Sequence, residues 1–148
     1  MEIKTASAAI SFTRKLEEDS AKFYEELSRR FVKHADVLLS FARENRKNIV
    51  QVERAYYGVI SDAIEGCFAF NINPGDYVLK TEIAEEVDYS DALMIAMAME
   101  ETIVKFYSDA AEQSKSLMAD VPRTFKMVAK RRNDRRQKLE SLLNRESQ

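Results

Sequence analysis

Apolar residues recur at steps of three and four along four stretches of the chain, which is the spacing of one face of an α-helix. The four stretches cover residues 7–31, 36–60, 91–114 and 122–144. Asp36 and Ser90 precede two of them and are predicted N-caps. Pro122 suits the first turn of the last helix, where its missing N–H costs nothing. The pattern therefore predicts an all-α protein built from four long helices.

The segment from residue 61 to residue 89 does not follow this pattern. It contains Gly66 and the turn-forming run Asn73-Pro74-Gly75-Asp76. We interpret it as a long crossover between two helical hairpins. Structureless connections of this length are uncommon in compact domains. The crossover is therefore expected to hold one or two short helices, with turns around Ala63 and Glu85.

Composition limits the classes of protein that fit. A chain of 148 residues with 45% hydrophobic and 32% charged residues fits one domain spanning residues 1–148. The basic run at residues 130–138 lacks interleaved aromatic residues, and the net charge is only −2, so nucleic acid is not an expected partner. No stretch has the length and apolar character of a membrane helix or a signal peptide. With Cys67 as the single cysteine, we expect a cytoplasmic protein.

An eight-residue pattern, E-E-x-x-x-K-F-Y, occurs twice, at residues 17–24 in the first helix and 100–107 in the third. Five identities in eight positions, on helices that are partners by position, favour duplication over chance. Glu17 and Glu100 lie on the apolar stripes of their helices, which places them in the interior. Buried carboxylates need partners.

The second and fourth helices carry polar residues on their interior stripes. Asn45 and Asn48 interrupt the stripe of the second helix, and Arg132 and Arg135 interrupt that of the fourth. Residues 130–138 are polar without a break for about two and a half turns, so every face of the helix is polar at that level. The sequence therefore predicts a neutral interior cluster of two glutamates, two arginines and two asparagines.

The duplicated Glu and Phe-Tyr pattern, the helix lengths and the central crossover resemble the rubrerythrin-like proteins of the ferritin-like family. The resemblance implies a ferritin-like four-helix bundle of two helical hairpins joined by a long crossover. It also implies a di-iron or di-manganese carboxylate site, used in peroxide reduction or ferroxidation, and a homodimer. The rubredoxin module of full rubrerythrins needs four cysteines and is absent from this sequence.

The family builds its metal site from one glutamate on each of two helices and a Glu-x-x-His motif on each of the other two. The resemblance puts Glu17 and Glu100 at the first pair of positions. Both Glu-x-x-His motifs are missing. Asn45 and Asn48 stand at the positions of one motif, and Arg132 and Arg135 stand at the positions of the other. Tyr24 and Tyr107 occupy corresponding positions in the two repeats. The resemblance implies that they support the ligands; the alternative is that they are buried core residues bonded to the cluster.

Two guanidinium groups oppose a metal ion at this place. Each would repel a divalent cation by roughly 7 kcal/mol at about 4.5 Å and an effective dielectric of about 20. Rescue would require Glu18, Glu44, Glu101 or Asp134 to turn inward, although each is one residue off its stripe. His34, the only histidine, is expected in a surface loop, and Cys67 as a small packing residue.

Three functions remain open, in this order. The first is a non-catalytic bundle without a cofactor, acting as an oligomeric scaffold or interaction module. The second is an oxidoreductase that holds two Fe or Mn ions through unusual ligands. The third is a bundle whose arginine and asparagine side chains bind a small anion such as a carboxylate.

Overall fold

Four long α-helices make up most of the part of the chain that the structure describes. The computed structural model describes residues 2–57, 70–115 and 120–146. The helices are α1 (Ala6–Arg30), α2 (Ala35–Tyr57), α3 (Tyr89–Gln113) and α4 (Asp120–Glu146). Short 3-10 helices lie at Val32–His34 and Pro74–Tyr77. The prediction of an all-helical protein with four helices is confirmed, with most ends within two residues of the expected positions.

The helix starts show where local sequence signals were misleading. The predicted N-cap Ser90 lies inside α3, because Asp88 caps the helix by accepting the Asp91 N–H at 2.8 Å. The predicted N-cap Asp36 is also wrong, because α2 continues directly from a 3-10 helix and begins at Ala35. Asp36 lies in the first turn, where its charge favours the helix N-terminus. Pro122 lies in the first turn of α4, as expected.

Two ion pairs show the relative direction of α1 and α2. Arg14, near the start of α1, pairs with Glu53, near the end of α2, at 2.7 Å. Glu25, near the end of α1, pairs with Arg46, nearer the start of α2, at 2.9 Å. The two helices therefore run antiparallel. The chain reverses between them over only four residues, 31–34.

The third helix also runs antiparallel to the first. Tyr24, late in α1, contacts Glu100 in the first half of α3, and Phe12, early in α1, packs on Phe106 in its second half. Because α2 and α3 are both antiparallel to α1, they run parallel to each other. The connection between them must therefore return along the whole length of the helices.

The described part of the crossover makes this return along α1. Ile72 forms an antiparallel bridge with Ile3, just before α1, through hydrogen bonds of 2.6 and 3.0 Å. At the far end, Arg30 donates to the backbone carbonyls of Ile83 and Ala84 at 3.2 and 2.7 Å. The described part of the crossover thus lies beside the residues just before α1 at one end and beside the last residue of α1 at the other.

The short structures within the crossover match the expectation in part. A 3-10 helix occupies Pro74–Tyr77, and a turn is present at residues 85 and 86, where one was expected. The other expected turn, at Ala63, lies outside the described residues. Tyr77 anchors the segment by donating to the Asp109 carboxylate at 2.5 Å and packing edge-on against Phe106.

One hydrophobic core joins all four helices and the crossover. Leu16, Leu38, Ile103 and Phe125 represent the contributions of the four helices, and each is almost fully buried. Polar residues interrupt this core at mid-height. None of the described helices has the length and apolar character needed to span a lipid bilayer.

Candidate functional site

A group of polar side chains fills the middle of the interior and is called the central cluster here. All its members are buried. They are Glu17, Ser20, Tyr24, Asn45, Asn48, Glu100, Tyr107, Arg132 and Arg135. The structure therefore brings together the six residues of the predicted cluster and the two tyrosines, and it adds Ser20.

Arg132 lies between the two buried glutamates. Its Nη1 donates to both carboxylate oxygens of Glu100, at 2.9 and 2.8 Å, and its Nη2 donates to Oε2 of Glu17. Nη1 also contacts Oγ of Ser20 at 3.1 Å. All three charged side chains are 0% exposed. One guanidinium thus pairs with carboxylates that come from two different helices.

Arg135 connects the central cluster to the protein surface. Its Nη1 donates to Oδ1 of Asn45 at 2.6 Å and lies 3.6 Å from Oε2 of Glu100. Its Nη2 donates to Glu44 at 2.9 Å and to the carbonyl of Phe41 at 3.1 Å. The Glu44 side chain is 41% exposed. Arg135 is therefore shared between a buried and a solvated carboxylate.

The two tyrosines cross between α1 and α3. Tyr24 of α1 donates to Oε2 of Glu100 on α3 at 2.6 Å, and Tyr107 of α3 donates to Oε1 of Glu17 on α1 at 2.8 Å. The duplicated sequence thus makes the same bond twice, in opposite directions. Both tyrosines are fully buried, and each is bonded to a carboxylate of the central cluster.

The asparagines complete the hydrogen bonding on the α2 side. Asn48 donates to Oε1 of Glu17 at 3.2 Å, and Asn45 donates to Oγ of Ser20 at 2.8 Å. Oδ1 of Asn48 accepts from Nη1 of Arg131 at 3.3 Å. Their amide groups serve as both donor and acceptor, which neither a carboxylate nor a guanidinium could do.

Burial and charge compete in setting the pKa values of the charged residues. Burial raises the pKa of Glu17 above its usual value, against the opposing effects of Arg132, the Tyr107 hydroxyl and Arg135. Burial by itself lowers the pKa of Arg132, but the charges of Glu100 and Glu17 outweigh it and raise that pKa. Arg132 therefore stays charged, and the cluster depends on this fixed cation.

The tyrosine hydroxyls are held in the neutral form. Burial raises the pKa of Tyr24 well above its usual value, and the nearby Glu100 charge raises it further. Burial raises the pKa of Tyr107 in the same way, and Glu17 adds to the effect. Both hydroxyls can therefore only donate to the carboxylates over the physiological pH range.

Sequence reasoning missed three partners. Ser20 lies on the interior stripe of α1, three residues after Glu17, so its burial could have been read from helical spacing. Arg131 reaches Asn48 and Gln51 from a position one residue off the α4 stripe, where only the length of its side chain brings it into contact. Glu44 is similarly off its stripe and meets Arg135 at the surface.

Comparison with known proteins does not assign a family or a function to the chain. The chain matches no protein-family model, and the searches of curated proteins and of solved structures found no match either. The functional interpretation therefore depends on the residues of the central cluster and their contacts.

The donor set of the cluster does not fit a pair of metal ions. It offers two carboxylates and no imidazole, and Arg132 and Arg135 contribute positive charge where a cation would have to bind. Of the four carboxylates that could have substituted, Glu18 pairs with Arg14 at the surface, and Glu101 and Asp134 are exposed. The fourth, Glu44, is bound by Arg135 at the edge of the cluster. Within the described ranges, no three His, Cys, Asp or Glu residues are grouped to hold a metal.

The two remaining candidates from the sequence lie away from the cluster. His34 is in the 3-10 helix after α1, half-buried and stacked on the Tyr89 ring at 3.8 Å between ring centroids. It is therefore part of the packing at one end of the protein, more enclosed than the loop residue that the sequence suggested. Cys67 lies outside the described residues.

Proposed function

We propose that the protein is a ferritin-like bundle in which ion pairs stand in the place of the metal ions, and that it acts through its surface as a scaffold or interaction module. The helices α2 and α3 run parallel to each other and are joined by a crossover that returns along the length of the helices. This arrangement supports the ferritin-like assignment. The correspondence of Glu17 and Glu100 to metal-ligand positions rests on the sequence resemblance. The reciprocal tyrosine bonds between the duplicated helices agree with it.

One observation carries the proposal: every oxygen of the two buried carboxylates already accepts a hydrogen bond from a protein donor. Glu17 is bound by Arg132, Tyr107 and Asn48, and Glu100 by Arg132 and Tyr24. A metal ion would have to displace Arg132, which would leave a guanidinium buried without its partners. Such an orphaned charge costs several kcal/mol. The cluster therefore performs the neutralisation that a bound metal would otherwise supply.

The other two functions receive less support from the contacts. An oxidoreductase with two Fe or Mn ions would need ligands in place of Asn45, Asn48 and the arginines. An anion-binding core would need several unoccupied cationic donors that converge on one place. The Nη groups of Arg132 and Arg135 are engaged by protein acceptors, and only the buried Nε group of each arginine has no hydrogen-bond partner. The buried glutamates of the chain itself already bind the arginines where an anion would have to bind.

Metal analysis tests the proposal. The protein should be produced in medium supplemented with iron and manganese, purified without chelators, and analysed by mass spectrometry of its metals. We expect substoichiometric metal, with no difference from a Glu17→Gln, Glu100→Gln variant in which both carboxylates are neutral. About two metal ions per chain that are lost in this variant would contradict the proposal and support the oxidoreductase.

A further inference from the structure

A groove runs along the surface between α2 and α4 and is called the α2–α4 groove here. It consists of two adjoining hollows of about 250 and 510 Å³, and both are lined by Glu44 and Arg131. The contacts between its walls begin with Lys138 over the Phe41 ring and end with Arg131 at Gln51. Ten residues of α2 separate these two levels, so the groove is about 15 Å long at about 1.5 Å per residue.

Basic side chains dominate the lining of the groove. Five basic and two acidic residues line it, which gives it a net charge of +3 in a chain whose net charge is −2. The basic residues are Arg43, Lys47, Arg131, Arg135 and Lys138, and the acidic residues are Glu44 and Asp134. An excess of one sign of charge in a groove attracts ligands of the opposite sign.

Four of the five cations have no carboxylate partner among the residues that the structure describes. Arg43, Lys47 and Lys138 are exposed and make no ion pair there. Arg131 donates to two neutral amide oxygens of α2 and to a methionine sulfur. By contrast, the exposed Arg14 of α1 pairs with two carboxylates. One unpaired surface cation is ordinary, but four that line the same groove leave its charge open to an acidic partner.

Arg135 lines one of the hollows and has hydrogen-bonding capacity left. Its side chain is only 1% exposed, and its Nε is buried with no hydrogen-bond partner among the described residues. Its Nη2 binds the carboxylate of Glu44 at 2.9 Å, and Glu44 lines both hollows. A carboxylate in the groove can therefore reach this guanidinium, which is the group that binds carboxylates best.

We propose that the α2–α4 groove is a docking site for an acidic peptide segment of a partner protein, whose carboxylates pair with the basic residues of both helices. This inference rests on the proposed interaction role and names the chemistry of the partner. About five residues of extended chain span the groove, at about 3.3 Å per residue. A single small anion would be too short to contact the cations at both ends.

Two features favour an acidic peptide over a nucleic acid. Glu44 and Asp134 lie among the cations and would repel a phosphate backbone, in which every nucleotide carries a charge. A peptide can place neutral residues beside these two carboxylates. The groove also offers no platform for stacked bases, because Phe41 is the one aromatic residue among the described lining residues and is only 5% exposed.

Fluorescence anisotropy of a labelled oligoglutamate peptide, titrated with the full chain, tests the docking site. We expect saturable binding that the double variant Arg43→Glu, Lys47→Glu weakens at least about tenfold, because two attractive charges become repulsive. The matched control is Lys126→Glu, Lys130→Glu. These two lysines are also exposed and four residues apart, but they lie outside the groove. The control has the same net charge and should lose at most about threefold at about 0.15 M salt, since distant charges are screened.

Removing a carboxylate from the groove tests the same site in the opposite direction. Glu44→Gln should strengthen peptide binding by about two- to tenfold, because it frees Nη2 of Arg135 and removes a repelling charge. Glu101→Gln is the control, since it removes an exposed carboxylate from α3 and should bind like the parent. Thermal melting of every variant shows whether the fold is intact.

Three results would overturn the docking site. They are no binding of oligoglutamate up to submillimolar protein, equal losses in the two double variants, and tighter binding of single-stranded RNA than of the peptide. The last result would assign the groove to nucleic acid. Metal content is a separate test: a metal-free protein that does not bind the peptide would overturn only the docking site. A protein that binds the peptide and holds about two metal ions per chain would overturn only the metal-free role.

Discussion

Replacing Arg132 by leucine removes the only guanidinium that contacts both buried glutamates. Glu100 would keep the Tyr24 hydroxyl and Arg135 at 3.6 Å. Glu17 would keep only the neutral donors Tyr107 and Asn48, so it is the carboxylate left without a close positive partner. A buried charge that loses its partner costs about 3–5 kcal/mol. The Arg132→Leu variant is therefore expected to lose stability of that size.

The loss can be expressed as a change in melting temperature. An unfolding entropy of about 2.1 cal/mol/K per residue gives about 0.3 kcal/mol/K for the 148-residue chain. A loss of about 4 kcal/mol then lowers the melting temperature by about 10–15 °C. Urea unfolding followed by circular dichroism measures the free energy directly. The deficit should shrink as the pH falls, because protonation of the orphaned glutamate removes its charge.

Arg14→Leu is the matched control. Arg14 also pairs with two carboxylates, Glu53 at 2.7 Å and Glu18 at 2.8 Å, but its side chain is 50% exposed. Exposed ion pairs contribute at most about 1 kcal/mol. Adding Glu17→Gln to Arg132→Leu should recover part of the loss, since it removes the unpaired charge. If Arg132→Leu cost no more than Arg14→Leu, the argument for buried-charge neutralisation would be refuted.

Two further predictions concern the tyrosines and the absent ligands. Burial raises the pKa values of Tyr24 and Tyr107 in the folded protein. The contribution of their neutral hydroxyls to the free energy of unfolding is therefore fully present below the ordinary tyrosine pKa of about 10 and is lost as the pH rises above it. The free energy of unfolding, measured by urea unfolding at a series of pH values above about 9, should therefore fall less steeply with pH in the double variant Tyr24→Phe, Tyr107→Phe than in Tyr57→Phe, which changes an exposed residue. Equal slopes of unfolding free energy against pH would count against buried, neutral hydroxyls. Introducing the ligands that the family resemblance implies, with Asn45→Glu, Asn48→His, Arg132→Glu and Arg135→His, should create a protein whose melting temperature rises with Mn²⁺ or Fe²⁺, unlike the parent. A folded variant without that rise would contradict the correspondence to metal-ligand positions.

The interior of the protein was largely predictable from the sequence. Helical spacing placed Glu17, Glu100, Arg132 and Arg135 on interior stripes, and all four are buried. The polar run at residues 130–138 made this conclusion independent of small errors in register, because every face of α4 is polar at that level. Periodicity works here because the helices are long and each has one apolar side.

The edges of the structure were harder to predict. Ser90 and Asp88 are both good N-cap residues, and the choice between them depends on where Tyr89 packs, which is a tertiary effect. The path of the crossover depends on single contacts such as Ile3 with Ile72. Arg131 and Glu44 reach the cluster only through the length of their side chains. None of these leaves a periodic signal in the sequence.

The position of Arg132 also determines how the chain can fold. Its partner Glu17 is 115 residues away in sequence, and the Tyr107 donor to the same carboxylate is 90 residues away. Glu17 on α1 therefore depends on a cation from α4 and a phenol from α3. A half-folded chain would have to leave Glu17 in water or bury it unpaired. We therefore expect α1, α3 and α4 to form their contacts together and unfolding to be a single cooperative transition. The large sequence separation of these contacts favours slow folding.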